Sequence, residues 1–411
     1  MNNSLFYIRF LKPPPLKCTL YQPFNVVWVI ESDLGDRPFG GEVKLRCETN
    51  DPDITIKFLP LDNKKAKKGN TKDDASLPLT NFDYNRYRGC GYVTRIALVP
   101  ANGNNNVATT GQPRKVQLSL SLPPEYRTPV HKTTTIRSHP VWHDTYPLIR
   151  SSARQDSTTY DSKDVWLIPV WSMPINIIAS PSKSSGGGGG KDSNRVKDPP
   201  GGQQAQRIVK AGRNGQLVSI CEDVEQSIAR HVWDCGLAMC DFIVRNKHHI
   251  KCNHIIELGS GTGLVGIVAA LELQPRSTYL TDLPDALEIM QQNIYRVEES
   301  GSIDINIQAK VLSWGPKTDG DDVWMGDENE VDLVLLTDVL YNQGSHDLLL
   351  QTLDWLVVNP KCRVLLGYKE RNEDERVFFT KLKERQWQCV LADTSDYEER
   401  PFEIYWIQKQ T

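Results

Sequence analysis

The residues with the clearest chemical content are three glycines, Gly259, Gly261 and Gly263. They alternate with Ser260 and Thr262, behind the acid Glu257 and ahead of an apolar segment. Glycine is needed where backbone must turn tightly and approach a ligand. The G-x-G-x-G spacing differs from the dinucleotide pattern G-x-G-x-x-G, and Leu264 stands where a phosphate loop would carry lysine. A pyrophosphate wants helix amides and positive charge, whereas this turn carries a carboxylate at its base. Glu257 suits a ligand with an amino group or a sulfonium, or serves to orient the turn. Asp282, with Leu283 after it, follows Gly263 by 19 residues. An acid there can accept from both hydroxyls of a ribose. The competing role is an N-cap for a helix starting near Pro284. Trp314, within Ser313-Trp314-Gly315, either stacks on an adenine or is a core tryptophan.

The elements around these residues alternate. Residues 254–258 form a short apolar strand, and 264–273 a helix. Residues 278–281 form a second strand. Leu287, Met290, Ile294 and Val297 are three or four apart and predict a helix over 284–298. Ile305, Ile307 and Ala309 alternate as a third strand. The run 331–337, apolar except for Asp332 over most of its length, suits a strand buried on both faces. Helix 345–358, strand 363–368, helix 373–385 and strands at 390–392 and 404–407 complete a doubly wound α/β sheet with a terminal strand pair. Cys235 and Cys240, five apart, read as helix packing.

The first half has a different grammar. Strands are predicted at 26–31, 42–47, 55–58, 92–98, 116–121, 165–170 and 175–179, most of them separated by proline and glycine. Two low-complexity stretches, 64–74 and 102–111, read as long loops. Short strands without clear helices suggest a sandwich-like, mainly-β domain. The stretch 180–206 contains five consecutive glycines and a Pro-Pro-Gly-Gly run, and reads as a linker. The expected division is therefore a mainly-β accessory domain at 1–179, a disordered Gly/Ser/Pro-rich linker at 180–206 and a catalytic domain at 207–411. As a separate, linked unit, the first domain is expected to recruit substrate.

Four blocks carry a family resemblance: Val232-Trp233-Asp234-Cys235-Gly236, the glycine turn, Leu312-Ser313-Trp314-Gly315, and Thr337-Asp338-Val339-Leu340-Tyr341. Together they resemble the seven-strand, Rossmann-like S-adenosylmethionine-dependent methyltransferases. Within these they look like the protein-lysine methyltransferase group with a D-x-x-Y motif. The block from Tyr368-Lys369-Glu370-Arg371 to Phe379 resembles the region after that family's fifth strand. The resemblance spans roughly residues 207–408 and is silent on the first half. It implies an N-methyltransferase with S-adenosyl-L-methionine as cofactor. Trp233, Glu257, Gly259, Ser260, Gly261, Thr262, Gly263, Asp282, Leu283, Trp314 and Thr337 would bind the cofactor, and Asp338 and Tyr341 would face the acceptor. Asp338 would bind and orient an ammonium rather than activate it, since a carboxylate favours the charged form. The competing roles are a turn cap for Asp338 and packing for Tyr341.

Charge and composition narrow the alternatives. With 48 basic and 51 acidic residues the net charge is -3, so the strongly basic footprint of a nucleic-acid binder is missing. No apolar run approaches the roughly 20 residues of a membrane span, and the apolar start at 4–11 is short and ends in Lys12 and three prolines. Nine cysteines without a CxxC pair suggest reduced thiols, a cytoplasmic location and no metal site, with mitochondrion and nucleus as alternatives. His131, His139 and His143 read as loop histidines. A protein lysine is the expected acceptor. The alternatives are a small amine or nucleic acid, or a binding protein with a vestigial cofactor fold.

Overall fold

A computed structural model describes residues 4–36, 39, 42–60, 79–83, 91–101, 114–121, 148–150, 164–178, 204–212, 216–223, 227–299, 305–318, 331–394 and 402–410. The two expected long loops and the three loop histidines lie outside the described residues.

The C-terminal sheet contains β1 (His254–Leu258), β2 (Ser277–Asp282), β3 (Ile307–Val311), β4 (Leu333–Thr337), β5 (Arg363–Lys369), β6 (Trp387–Thr394) and β7 (Phe402–Lys409). Their spatial order is β3-β2-β1-β4-β5-β7-β6. The first five run parallel, and β7 inserts antiparallel between β5 and β6. Ile255, Ile256, Leu258 and Leu333 to Leu336 are all buried because helices lie on both faces, which is why these strands read as unbroken apolar runs. One face packs on α1 (Asp234–Asn246), α2 (Leu264–Leu273) and α3 (Pro284–Glu299); the other packs on α4 (His346–Leu356) and α5 (Val377–Glu384). Cys235 and Cys240 are buried on α1. Helices α4 and α5 are shorter than expected because a 3-10 turn precedes each, at Gln343–Ser345 and Glu373–Arg376.

The strand order reverses between β1 and β4. In an open α/β sheet this opens a crevice beyond the carboxyl ends of those strands. The glycine turn leaves β1 there, and the segment Asp338 to Tyr341 leaves β4 there.

The first half is the expected β-sandwich: among the described residues, two six-stranded sheets and a three-stranded sheet of Lys17–Thr19, Ile175–Ile178 and Arg114–Val116 surround one core. One sheet runs Leu148–Arg150, Asp164–Ile168, Ser4–Lys12, Phe24–Glu31, Tyr92–Pro100, Ile54–Leu59. The apolar start is therefore an internal strand of this sheet, with Tyr7 and Ile8 wholly buried. Ile8, Trp28, Ile30 and Leu98 of this sheet meet Leu45, Leu118, Leu120 and Val170 of the other.

The second sheet joins the two halves. Its order is Gln216–Glu222, Ala205–Ala211, Val170–Ser172, Leu118–Ser121, Glu42–Thr49, Leu79–Asp83. The hairpin at 205–222 thus extends the sandwich sheet, although the sequence places it at the start of the catalytic domain. Of the expected linker, residues 204–206 are described, and Ala205 and Gln206 pair with Ser172 and Trp171; the rest lies outside the described residues. The two halves therefore share a sheet, and the expectation of a separate, tethered unit does not describe their junction. Arg207 is completely buried at this seam. It donates to Glu222 at 2.7 Å, and to the carbonyls of Ile8 at 2.9 Å and Pro169 at 2.7 Å. On the far side of the hairpin, the Asn293 amide of α3 accepts from Cys221 N at 2.8 Å and donates to the carbonyl of Thr262 in the glycine turn at 2.9 Å.

Breaking a buried ion pair by removing one partner costs about 3–5 kcal/mol, because the other charge is left unmatched. Arg207→Met is expected to lower the free energy of unfolding by about that amount. Urea unfolding followed by tryptophan fluorescence checks it, and an unchanged midpoint counts against the seam. A chain beginning at Arg207 is expected to show no cooperative transition.

Candidate active site

The crevice holds a cleft of about 390 Å³, within the usual range for small-molecule sites. Its walls include Trp233, Glu257, Gly259, Ser260, Gly261, Thr262, Asp282, Leu283, Trp314, Thr337, Asp338 and Tyr341. Twelve of the thirteen residues singled out from the sequence are brought together here. Gly263 is the exception and does not line the cleft. It sits at φ 79° as the N-cap of α2, and a Cβ on it would stand 2.9 Å from the Leu280 side chain. Its reason is packing and backbone conformation rather than ligand contact.

The turn is built from backbone bonds. Gly259 N and Ser260 N both donate to Thr281 O, at 2.9 and 3.0 Å, and the Thr281 hydroxyl donates to Glu257 O at 2.7 Å. Gly261 has φ 56°, and a Cβ there would lie 2.8 Å from the Ala229 carbonyl oxygen. A side chain would therefore meet the segment before α1 that forms the opposite wall.

Asp282 does not cap α3 in the way considered above. One oxygen accepts from Gly261 N at 2.7 Å and the other from Leu283 N at 2.7 Å. It splints the glycine turn while lining the cleft. Burial raises its pKa, against the opposing effect of these two bonds. Glu257 is nearly inaccessible and accepts from Gly266 N at 3.0 Å. Burial pushes its carboxyl up to about 8. Trp314 is half-buried; its ring edge stands 3.2 Å from the position of a Cβ on Gly259, and its inner side packs on the β4 core. It is both cleft wall and core margin.

The other end of the cleft, where the resemblance puts the acceptor, is formed by the segment after β4. Asp338 sits at φ 57°, a left-handed conformation uncommon for a residue with a side chain and one that concentrates at functional sites. The turn after it is capped by Asn342, whose side chain accepts from Gly344 N at 3.1 Å. Asp338 is thus free of the capping role and pairs with Arg371 instead. Tyr341 is 58 % exposed, so it is not a packing residue. Partial burial and the acids Asp282, Asp338 and Asp285 raise its pKa, which keeps the phenol protonated near neutrality.

Two further residues were assigned no role from the sequence, His231 in the cleft wall and Arg371 behind it. His231 is buried in the wall between two charged groups: its Nδ1 lies 2.9 Å from Glu222 and its Nε2 lies 2.9 Å from Arg9. Arg9 must donate, so Nε2 accepts and Nδ1–H donates to Glu222. Burial lowers its pKa despite Glu222, consistent with a neutral ring. Arg371 stacks 5.2 Å from the Trp233 ring centroid. The His231–Arg9 and Arg371–Trp233 pairs join residues far apart in the chain, and no local spacing marks them.

The glycine turn, Glu257, Asp282, the tryptophans and the Asp338-x-x-Tyr341 segment line one cleft, and comparison with known proteins gives the family of the chain. Residues 213–385 match the family described as lysine methyltransferase. Protein N-lysine methyltransferase METTL21A of Danio rerio is 35% identical over 158 residues, covering 38% of this chain and 68% of that protein. Protein-lysine N-methyltransferase EFM6 of Saccharomyces cerevisiae is 30% identical over 202 residues, covering 44% of this chain and 80% of that protein. A UPF0665 family protein of Schizosaccharomyces pombe is 29% identical over 195 residues, and the chain spans 55% of its length. The chain belongs to the lysine methyltransferase family. Its cofactor is S-adenosylmethionine.

A cationic ligand beside Glu257 favours the ionised carboxylate and lowers its pKa from about 8. Cofactor binding near pH 7 is therefore expected to release a proton, and affinity to rise with pH until that carboxyl is ionised in the free protein. Calorimetry in buffers of different ionisation enthalpy reads the proton directly. Glu257→Gln is expected to abolish the release, and proton uptake or none in the parent protein would refute the assignment.

Proposed function

We propose that this chain is a protein-lysine N-methyltransferase whose cofactor lies along the glycine turn and whose acceptor amine enters between Asp338 and Tyr341. The observation that carries this reading is the joining of both segments in one cleft, with the Asp338 backbone turned into a left-handed conformation. The residues present suit the cofactor. Asp282 is an acceptor suited to ribose hydroxyls, Glu257 is an acid suited to a cationic group, and Trp314 offers a ring face. Two of the relatives, METTL21A and EFM6, are named as protein-lysine methyltransferases, which supports a protein acceptor.

Bound S-adenosylmethionine supplies a methyl group already activated on a sulfonium. The chain's own task is then mainly alignment. A lysine amine, with a free pKa of about 10.4, must shed a proton before it attacks. Asp338 alone would oppose that loss, but its charge is shared with Arg371. The pair can hold an amine by hydrogen bonding without strongly stabilising the ammonium, and the proton leaves to water through the open side at Tyr341. The Tyr341 phenol oxygen accepts from an amine N–H and helps aim the lone pair. We assign the protein to the cytoplasm, a reading supported by buried single thiols such as Cys18, Cys47 and Cys221.

The test is transfer of tritiated methyl from S-adenosylmethionine to proteins, with the labelled residue located by mass spectrometry. Label is expected on lysine. Asp338→Asn is expected to reduce transfer by about a hundredfold while cofactor binding persists. Label confined to nucleic acid or small amines would defeat the reading, as would tight cofactor binding with no transfer to any acceptor.

A further inference from the structure

Besides the Arg207–Glu222 seam, a second cluster of buried charge crosses from the sandwich to the acceptor end. Asp33 follows the strand Phe24–Glu31, and its side chain is 4% exposed. It accepts from Arg371 Nη1 at 2.7 Å and lies 3.5 Å from Lys369 Nζ. The other arm of Arg371, Nη2, pairs with Asp338 and stands 3.7 Å from Asp234. Lys369 donates to Asp234 at 2.5 Å. A single guanidinium thus bridges a carboxylate of the sandwich and the acid of the acceptor segment, while its plane rests against Trp233.

The charges explain why the bridge holds its shape. Asp33, Asp234 and Asp338 face Lys369 and Arg371, three acids against two bases. Burial pushes the Asp33 carboxyl up, but Lys369 and Arg371 outweigh it and hold it well below the usual range. Asp234, wholly buried with Asp33 and Asp338 nearby, is pushed up to about 7 in spite of Lys369. Asp33 is therefore the acid that stays charged and keeps one arm of Arg371. Without it the planar fork is free to turn both arms on Asp338, the bidentate arrangement a guanidinium favours with a carboxylate. Asp338 would then have less capacity left for an amine. A second tie reinforces the first: Arg9 donates to the Asp33 carbonyl and also reaches His231 in the cleft wall.

We propose that Asp33 is a positioning residue of the acceptor site: by holding one arm of Arg371 it fixes the other on Asp338 and leaves that carboxylate able to receive the incoming amine. The sandwich is then a structural part of the acceptor site. This rests on the lysine-acceptor reading above.

The test needs no protein substrate. It compares two ligands by calorimetry on the full chain. One is S-adenosylhomocysteine. The other is an analogue with nitrogen in place of sulfur, bearing a four-carbon aminoalkyl arm where the transferred methyl would be. The arm's amine probes the acceptor position. In the parent protein the arm is expected to tighten binding. Asp33→Asn, nearly isosteric, is expected to leave S-adenosylhomocysteine affinity within about twofold and to reduce the preference for the arm by about tenfold, the scale of a small misplacement of a reacting group. An unchanged preference overturns the proposal, and so does a parallel loss for both ligands, which marks a merely structural role. Arg371→Lys keeps the charge but loses the planar fork whose two arms reach Asp33 and Asp338 in a fixed geometry. It is expected to show the same selective loss, and it decides the matter if Asp33→Asn does not fold. No gain from the arm in the parent protein would sink the lysine-acceptor reading and this proposal with it, and that failure is seen before any substitution is made.

Discussion

A guanidinium wholly removed from water must be matched by a carboxylate and by carbonyls, or its desolvation outweighs what the surrounding packing contributes. Arg207 meets that demand with groups from both halves of the chain: Glu222 from its own hairpin, and the carbonyls of Ile8 and Pro169 from the sandwich. Glu222 also accepts from His231, and His231 forms part of the cleft wall. One buried charge thereby links the join between the halves to the position of the cofactor cleft. The shared sheet alone would allow sliding; the fixed geometry of this pair opposes it.

The second constraint is steric. The crevice opens where the strand order reverses, and two backbone conformations shape it, a run of left-handed glycines after β1 and a left-handed aspartate after β4. The glycines bring backbone amides close to the Ala229 wall. The aspartate turns the chain so that its carboxylate faces β5 and Arg371 instead of the turn that follows. Asn342 takes over the capping that Asp338 leaves undone. Side-chain chemistry at the site therefore follows from backbone geometry that neighbouring residues stabilise.

Much of the α/β half was legible because its signals are local. The strand 254–258 and the helix 264–273 were placed to the residue, since an apolar run, a glycine turn and an apolar helix follow one another without interruption. The sandwich was legible in kind but not in extent. The start of the chain, too short for a signal or a span, turned out to be a central strand, because length alone does not distinguish a buried strand from other apolar segments. The hairpin at 205–222 belongs to both neighbours: its side chains pack with the helices of the α/β half, as its place in the sequence suggests, while its sheet partner lies on the far side of the glycine- and proline-rich stretch. Gly263 looked like a cofactor contact because its spacing matched, whereas its reason is the Leu280 side chain. The links from Arg9 to His231 and from Asp33 to Arg371 left no local trace, since they join residues hundreds of positions apart.

The left-handed backbone at Asp338 also bears on how such a protein can change over generations. Asparagine and glycine tolerate that conformation at least as well as aspartate, while branched and bulky residues do not. Both tolerated replacements are one base change from an aspartate codon, and both remove the acid. The mutations most compatible with the fold at this position are thus the ones that, on the role proposed for Asp338, take away the group that holds the amine. On that proposal a lineage loses the group in a single step, with the sandwich, the seam and the cleft still in place.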